Sequence, residues 1–200
     1  MNRRHALALV SSFIASPAIA RPGVTLSMRN VMGESLKLRY HGDLSSSEHA
    51  AFDHLARDRR QNISRKMDAT LLDILQLIVE ESGQGGSFTL LSGFRTRATN
   101  AILPGAAENS FHLGGRALDI SREGMTVGEI SASVAQHSGG LGLYGKNGFV
   151  HIDTGPFRRW GDANGRLPAF RQNGRSAGQR KPIQGLADIT SDMLLDLSKF

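Results

Sequence analysis

Ser110-Phe111-His112-Leu113-Gly114-Gly115-Arg116-Ala117-Leu118-Asp119 and, downstream, Phe149-Val150-His151-Ile152-Asp153 are the stretches on which the reading of this 200-residue chain turns. Each joins a short apolar run to glycine-rich or polar residues, the pattern of a strand end meeting a loop. Together they carry two imidazoles and two carboxylates. Two histidines and one carboxylate are a frequent ligand set for catalytic Zn²⁺, because they leave a fourth position open. A metal so held makes water a nucleophile near neutral pH, which points to a metal-dependent hydrolase. His151 lies inside an apolar strand, where an ionisable group needs a partner or a metal. The spacing of His112 and Asp119 is common in proteins, so hydrogen-bonded structural groups and a metal site both stay open on residue chemistry alone.

Working outward, residues 24–29 and 35–40 alternate apolar and polar side chains around the turn Met32-Gly33-Glu34, which predicts a hairpin. Ser45 with Glu48 forms a capping box ahead of Ala51, Phe52, Leu55 and Ala56. Asp68 is expected to cap a second helix carrying Leu71, Leu72, Ile74, Leu75, Leu77, Ile78 and Val79. That helix is apolar around much of its circumference and so should be buried. Gly83, Gly85 and Gly86 stop it. Strands are predicted at 87–91, around 117–120, at 141–144 and at 149–153, the last two joined by the turn Gly145-Lys146-Asn147-Gly148. Helices are predicted at 97–103 and from Thr126 to about Gln136.

Forty per cent hydrophobic and 21% charged residues suit one folded domain, and 23 glycines suit a loop-rich α+β protein. Absence of cysteine excludes disulfides and thiolate metal sites. The net charge of +6 can attract nucleic acid, anionic lipid or an acidic polymer such as cell-wall material. No basic stripe interleaved with aromatics argues for nucleic acid. Residues 1–20 read as a secretory signal: basic Asn2-Arg3-Arg4-His5, a short apolar run, and the small-x-small site Ala18-Ile19-Ala20. The Arg3-Arg4 pair permits the twin-arginine route beside the Sec route. No other segment is a membrane candidate, so no stable membrane insertion is expected. Residues 161–185 read as a basic Gly/Arg-rich linker, and 186–197 as a short amphipathic helix.

Ser92-Gly93-Phe94-Arg95, Asn100, Ser110-x-His112-x-x-Gly115-x-Ala117-x-Asp119-Ile120, Gly139-Gly140-Leu141-Gly142-x-Tyr144, and Phe149-Val150-His151-Ile152-Asp153-Thr154-Gly155 followed by Arg159-Trp160 resemble the MepK/YcbK-like murein endopeptidases. These belong to the zinc D-alanyl-D-alanine carboxypeptidase-like (LAS) superfamily. Leu26, Gly33-Glu34-Ser35 and Arg57-Asp58-Arg59 extend the resemblance upstream. It implies a zinc peptidase domain within residues 21–160, with a small antiparallel sheet flanked by helices and the zinc site on the sheet. It further implies that His112, Asp119 and His151 hold Zn²⁺, that Arg95 stabilises the oxyanion of the scissile carbonyl, and that the substrate is a peptidoglycan stem peptide or cross-link in the periplasm.

One departure stands out. Related branches place a Glu three residues, or a His two residues, before the last ligand as general base. Gly148 and Phe149 occupy those positions here. Asp153 shares a strand face with His151. It is the candidate base, or else a partner orienting a ligand histidine, with Glu108 and His137 next in line. Ser110 is expected to orient substrate or to hydrogen-bond Asp119. Trp160 and Phe157 are expected to line a groove or to close the core. The competing functions are a D-alanyl-D-alanine-type carboxypeptidase and a non-catalytic cell-wall-binding protein that retains the metal site.

Overall fold

Val24, Leu26 and Met28 alternate with polar residues and bury one side of β1 (Val24–Asn30), which pairs antiparallel with β2 (Ser35–Tyr40) as the hairpin pattern predicts. The computed structural model describes residues 23–83 and 85–162, so the expected signal and the C-terminal helix lie outside the described residues. After β2 the chain forms α1 (Ser46–Leu55), started by the Ser45–Glu48 capping box. It then forms α2 (Thr70–Ser82), which buries Leu71, Leu72, Ile74, Leu75, Ile78 and Val79.

Asp68 does not take the N-cap position; Ala69 does, without a side-chain bond. Asp68 still accepts from the Thr70 N–H at 3.1 Å, while its other oxygen accepts from the Thr154 hydroxyl at 2.7 Å. Sharing the carboxylate with Thr154 sets it back one residue from the helix start.

The remaining elements are β3 (Phe88–Ser92), α3 (Arg97–Ile102), β4 (Ala117–Arg122), α4 (Val127–Val134), β5 (Gly140–Tyr144), β6 (Phe149–Asp153) and β7 (Arg158–Asp162). The strands form one sheet in the order β2-β1-β3-β4-β6-β5-β7. The α+β class is as expected, but the sheet has seven strands among the described residues and is mixed rather than small and antiparallel. The β1–β3 and β5–β7 pairs are parallel. Each arises because the chain returns to the sheet beside a strand from which an intervening antiparallel strand had led away. β7 runs to Asp162, past the expected domain limit.

Leu118 and Ile120 of β4, Leu141 and Leu143 of β5, and Val150 and Ile152 of β6 are all buried in the core. On that side α4 packs against β4, β5 and β6, and α2 packs against α4 and β1. Strand alternation sends the intervening residues to the opposite face: Asp119, Gly142, Tyr144, His151 and Asp153. The two arginines of β7 divide the same way. Arg159 caps the C-terminal end of α4 through the carbonyls of Ala135 and Ser138. Arg158 joins the other face.

Candidate metal centre and active-site cavity

The register lines up two rows of side chains across that face. Asp119 pairs with His151, His151 with Gly142, and Gly142 with Trp160. One step along the strands, Ala117, Asp153, Gly140 and Arg158 form the second row. Gly140 and Gly142 are gaps that let β7 side chains reach over β5. A Cβ on Gly142 would lie 2.5 Å from the Trp160 ring, and one on Gly140 would lie 2.1 Å from Asp153 Oδ2 and 2.5 Å from Arg158 Nη2.

His112 comes from a separate element, a short 3-10 helix at Phe111–Gly114. Ser110 caps that helix, its Oγ accepting from the His112 N–H at 3.4 Å. The hydroxyl thus serves the turn that carries His112 and makes no bond to Asp119.

His112, Asp119 and His151 are all buried, and one ligand atom from each lies within 4.8 Å of the others. His112 Nε2 is 3.2 Å from His151 Nδ1 and 3.3 Å from Asp119 Oδ1, and His151 Nδ1 is 2.9 Å from that same oxygen. The outer nitrogens settle the tautomers. His112 Nδ1 lies 2.6 Å from the Gly93 carbonyl and His151 Nε2 lies 3.0 Å from Asp153 Oδ2. Both partners only accept, so both outer nitrogens carry the hydrogen. In the neutral rings the inner nitrogens present lone pairs to each other and to an ionised carboxylate. Three converging lone pairs repel unless a cation sits among them, so the donor set fits a divalent metal with two nitrogens and one oxygen.

For His112 and Asp119 the electrostatics agree with this arrangement, whereas His151 stands between two carboxylates that favour a proton a metal would displace. Burial, with the charge of Arg95, lowers the His112 pKa to about 4 and keeps the ring neutral. Burial alone would favour a neutral Asp119, but His112 and Arg95 hold its carboxyl well below the usual range. Burial also opposes charge on His151; hydrogen bonds and charge from Asp119 and Asp153 outweigh it and raise its pKa.

Arg95 follows β3, where a register shift between Leu90 and Ser92 brings Ser92 opposite Asp119. Its Nη2 bonds Asp119 Oδ2, and its Nε donates to Ser92 Oγ at 2.8 Å. Asp58, a buried carboxylate for which the sequence suggested no role, steadies this loop by accepting from the Thr96 N–H at 2.7 Å. It also accepts from the N–H groups of Arg60 and Gln61.

Asp153 is fully buried on the far side of His151 from the converging donors. Its Oδ1 accepts from the N–H groups of Gly140 and Gly155 at 2.9 and 2.8 Å, and its Oδ2 from His151 and Arg158. Glu108 and His137 are exposed and do not line the cavity at the site. Phe157 is exposed, whereas Trp160 lines the cavity and tilts against His151 at 5.2 Å.

The cavity measures about 840 Å³ and crosses the sheet from the β1–β2 turn at Met32 to Trp160 of β7, with Asp119 and His151 between. Tyr144 also lines it, stacked on Phe149 at 4.4 Å. The Trp160 indole donates to Tyr144 Oη at 3.1 Å. Because an indole N–H can only donate, the phenol keeps its own proton to offer elsewhere.

The helix-flanked mixed sheet and its buried His/Asp/His group are consistent with the M15 metallopeptidase fold. Residues 19–160 match the family model described as Peptidoglycan L,D-endopeptidase MepK, and the chain belongs to that family. It is 34% identical over 177 residues to the Peptidoglycan L,D-endopeptidase MepK of Escherichia coli strain K12, an alignment covering 80% of this chain and 97% of the relative. It is 31% identical over 161 residues to the Probable peptidoglycan L,D-endopeptidase MepK of Haemophilus influenzae, covering 76% and 86%. The chain is therefore a peptidoglycan endopeptidase, a hydrolase of the M15 metallopeptidase family.

Proposed function

We propose that this protein is a zinc-dependent endopeptidase that cleaves an L,D amide bond in peptidoglycan cross-links; its relatives are named peptidoglycan L,D-endopeptidases. The observation that carries the reading is a cavity that continues on both sides of the metal-binding group, toward Met32 one way and Trp160 the other. Cleavage within a cross-link needs chain on both sides of the scissile bond; trimming a terminal residue needs a closed end.

His112 Nε2, His151 Nδ1 and one oxygen of Asp119 are the groups we assign to the metal, and their nitrogen and oxygen character suits zinc. Zinc held there would act as a Lewis acid toward a carbonyl and would acidify water. Arg95 lines the cavity against Asp119, placed to stabilise charge developing on the carbonyl oxygen. Tyr144 offers a hydrogen bond from the β5 side. Asp153 fixes the tautomer and plane of His151; with its oxygens already accepting four bonds from protein groups, it is a positioning residue rather than the general base.

The basic start of the chain and Ala18-Ile19-Ala20 support export and work in the periplasm. Among the described residues no helix is long and apolar enough to cross a membrane.

Digesting purified sacculi with zinc-loaded protein and identifying the fragments by mass spectrometry tests the proposal. Release of peptides cut at an L,D cross-link is expected. Loss of terminal D-alanine alone, or no release at all, would contradict it.

A further inference from the structure

Arg158 stands at the cavity wall with its side chain 41% exposed. One of its nitrogens, Nη2, bonds Asp153 Oδ2. Among the described residues Nε and Nη1 meet no acceptor. Two rings lie against the guanidinium, Phe111 at 4.6 Å and Trp160 at 5.5 Å. Asp153 pairs with one edge of the guanidinium and is shared with His151 and two backbone N–H groups, which leaves the Nε and Nη1 hydrogens as donors. Of the other cations on the cavity wall, Arg95 is assigned to the carbonyl oxygen and is held by Asp119 and Ser92, Arg57 makes two bonds to Glu34, and Arg59 and Arg60 engage protein groups.

The geometry points to Arg158 as the residue that recognises a free carboxylate on the substrate, on the residue that supplies the scissile nitrogen and whose chain continues through its side chain, as a cross-link requires. Asp153 and Arg158 lie one row from Asp119 and His151, a step of about 7 Å along the strands. An α-carboxylate on the nitrogen side of an amide lies only a few bonds from the carbonyl, within reach of a guanidinium one row away. A planar guanidinium packed against two rings loses little freedom on binding, which suits it to a carboxylate. The ligand's identity rests on the endopeptidase reading; the binding test below does not depend on turnover.

N-acetyl-L-alanyl-D-alanine and its C-terminal carboxamide differ only in that carboxylate. Each is titrated by NMR into the zinc-loaded protein and its Arg158→Gln and Arg158→Lys variants. The wild type is expected to prefer the carboxylate by about tenfold or more, the range of a charge-assisted hydrogen bond. Arg158→Gln should lose the preference and Arg158→Lys should keep part of it. Comparing two ligands within one protein cancels any general weakening from loosening Asp153. No preference in the wild type, or an undiminished one in Arg158→Gln, overturns the assignment. Selective binding without cross-link cleavage would keep Arg158's role and remove the endopeptidase reading. Cleavage with no preference would do the reverse.

Discussion

Asp153 shows how burial and bonding divide two roles that one side chain could play. A general base must reach a proton in the cavity, yet every bond Asp153 makes runs to Gly140, Gly155, His151 or Arg158. Burial works against its charge, and the bonds from His151 and the two backbone N–H groups lower its pKa, so it is an anion holding its neighbours. Replacing it separates the roles. Asp153→Asn puts an NH₂ where one oxygen accepts, leaving donors facing a donor at a buried position, at a cost of about 1–3 kcal/mol. Lost orientation of His151 should weaken metal binding about 10–100-fold. We expect a lower denaturation midpoint together with weaker zinc affinity in a competition titration with a chelator. A pure base would instead lose about 10²–10⁴-fold in rate with affinity and stability intact, and that pattern would return Asp153 to the proton-transfer role.

At the scale of elements, β5 matters most, and chiefly for what it lacks. Gly140 and Gly142 leave the sheet face open, so that Arg158 and Trp160 cross over it to Asp153 and His151. In an unobstructed strand, Gly→Ala would gain about 0.5–1 kcal/mol from reduced chain entropy. At Gly142 the new methyl meets the indole at 2.5 Å, and overpacking of this kind costs about 1–3 kcal/mol, so the net sign is destabilising. Trp160 is the single tryptophan of the chain, which makes its displacement directly visible. Gly142→Ala should lower the urea midpoint and shift the emission to the red; unchanged emission and midpoint would mean that the gap is not needed.

This element also marks where the sequence stops being informative. The β1–β2 hairpin, the capping box of α1, the buried stripe of α2 and the β5–β6 hairpin follow from local periodicity, and the structure contains each. β7 has no such pattern: two arginines, a glycine and an aspartate interrupt it, and it joins the sheet through backbone bonds to β5. The place of Arg158 beside Asp153, the free proton of Tyr144 and the loop-steadying role of Asp58 depend on strand order and glycine gaps. Neighbours along the chain do not encode them.

For the molecule as a whole, the separation of faces is what makes a site possible. One side of the sheet is closed by α2 and α4 over a continuous apolar core, and the other carries polar groups that would be costly to bury without partners. Those partners are supplied in layers. Gly93 and Asp153 orient the histidines, Arg95 steadies Asp119, and the three inner donors converge within 4.8 Å of one another. The central claim is that His112, Asp119 and His151 together hold one divalent metal ion. Metal content of the purified, zinc-equilibrated protein by plasma mass spectrometry, beside His112→Ala and His151→Ala, tests it most directly. The wild type should carry about one zinc per chain, and each variant should lose most of it while circular dichroism shows the fold retained. Full zinc content in both folded variants would contradict the account.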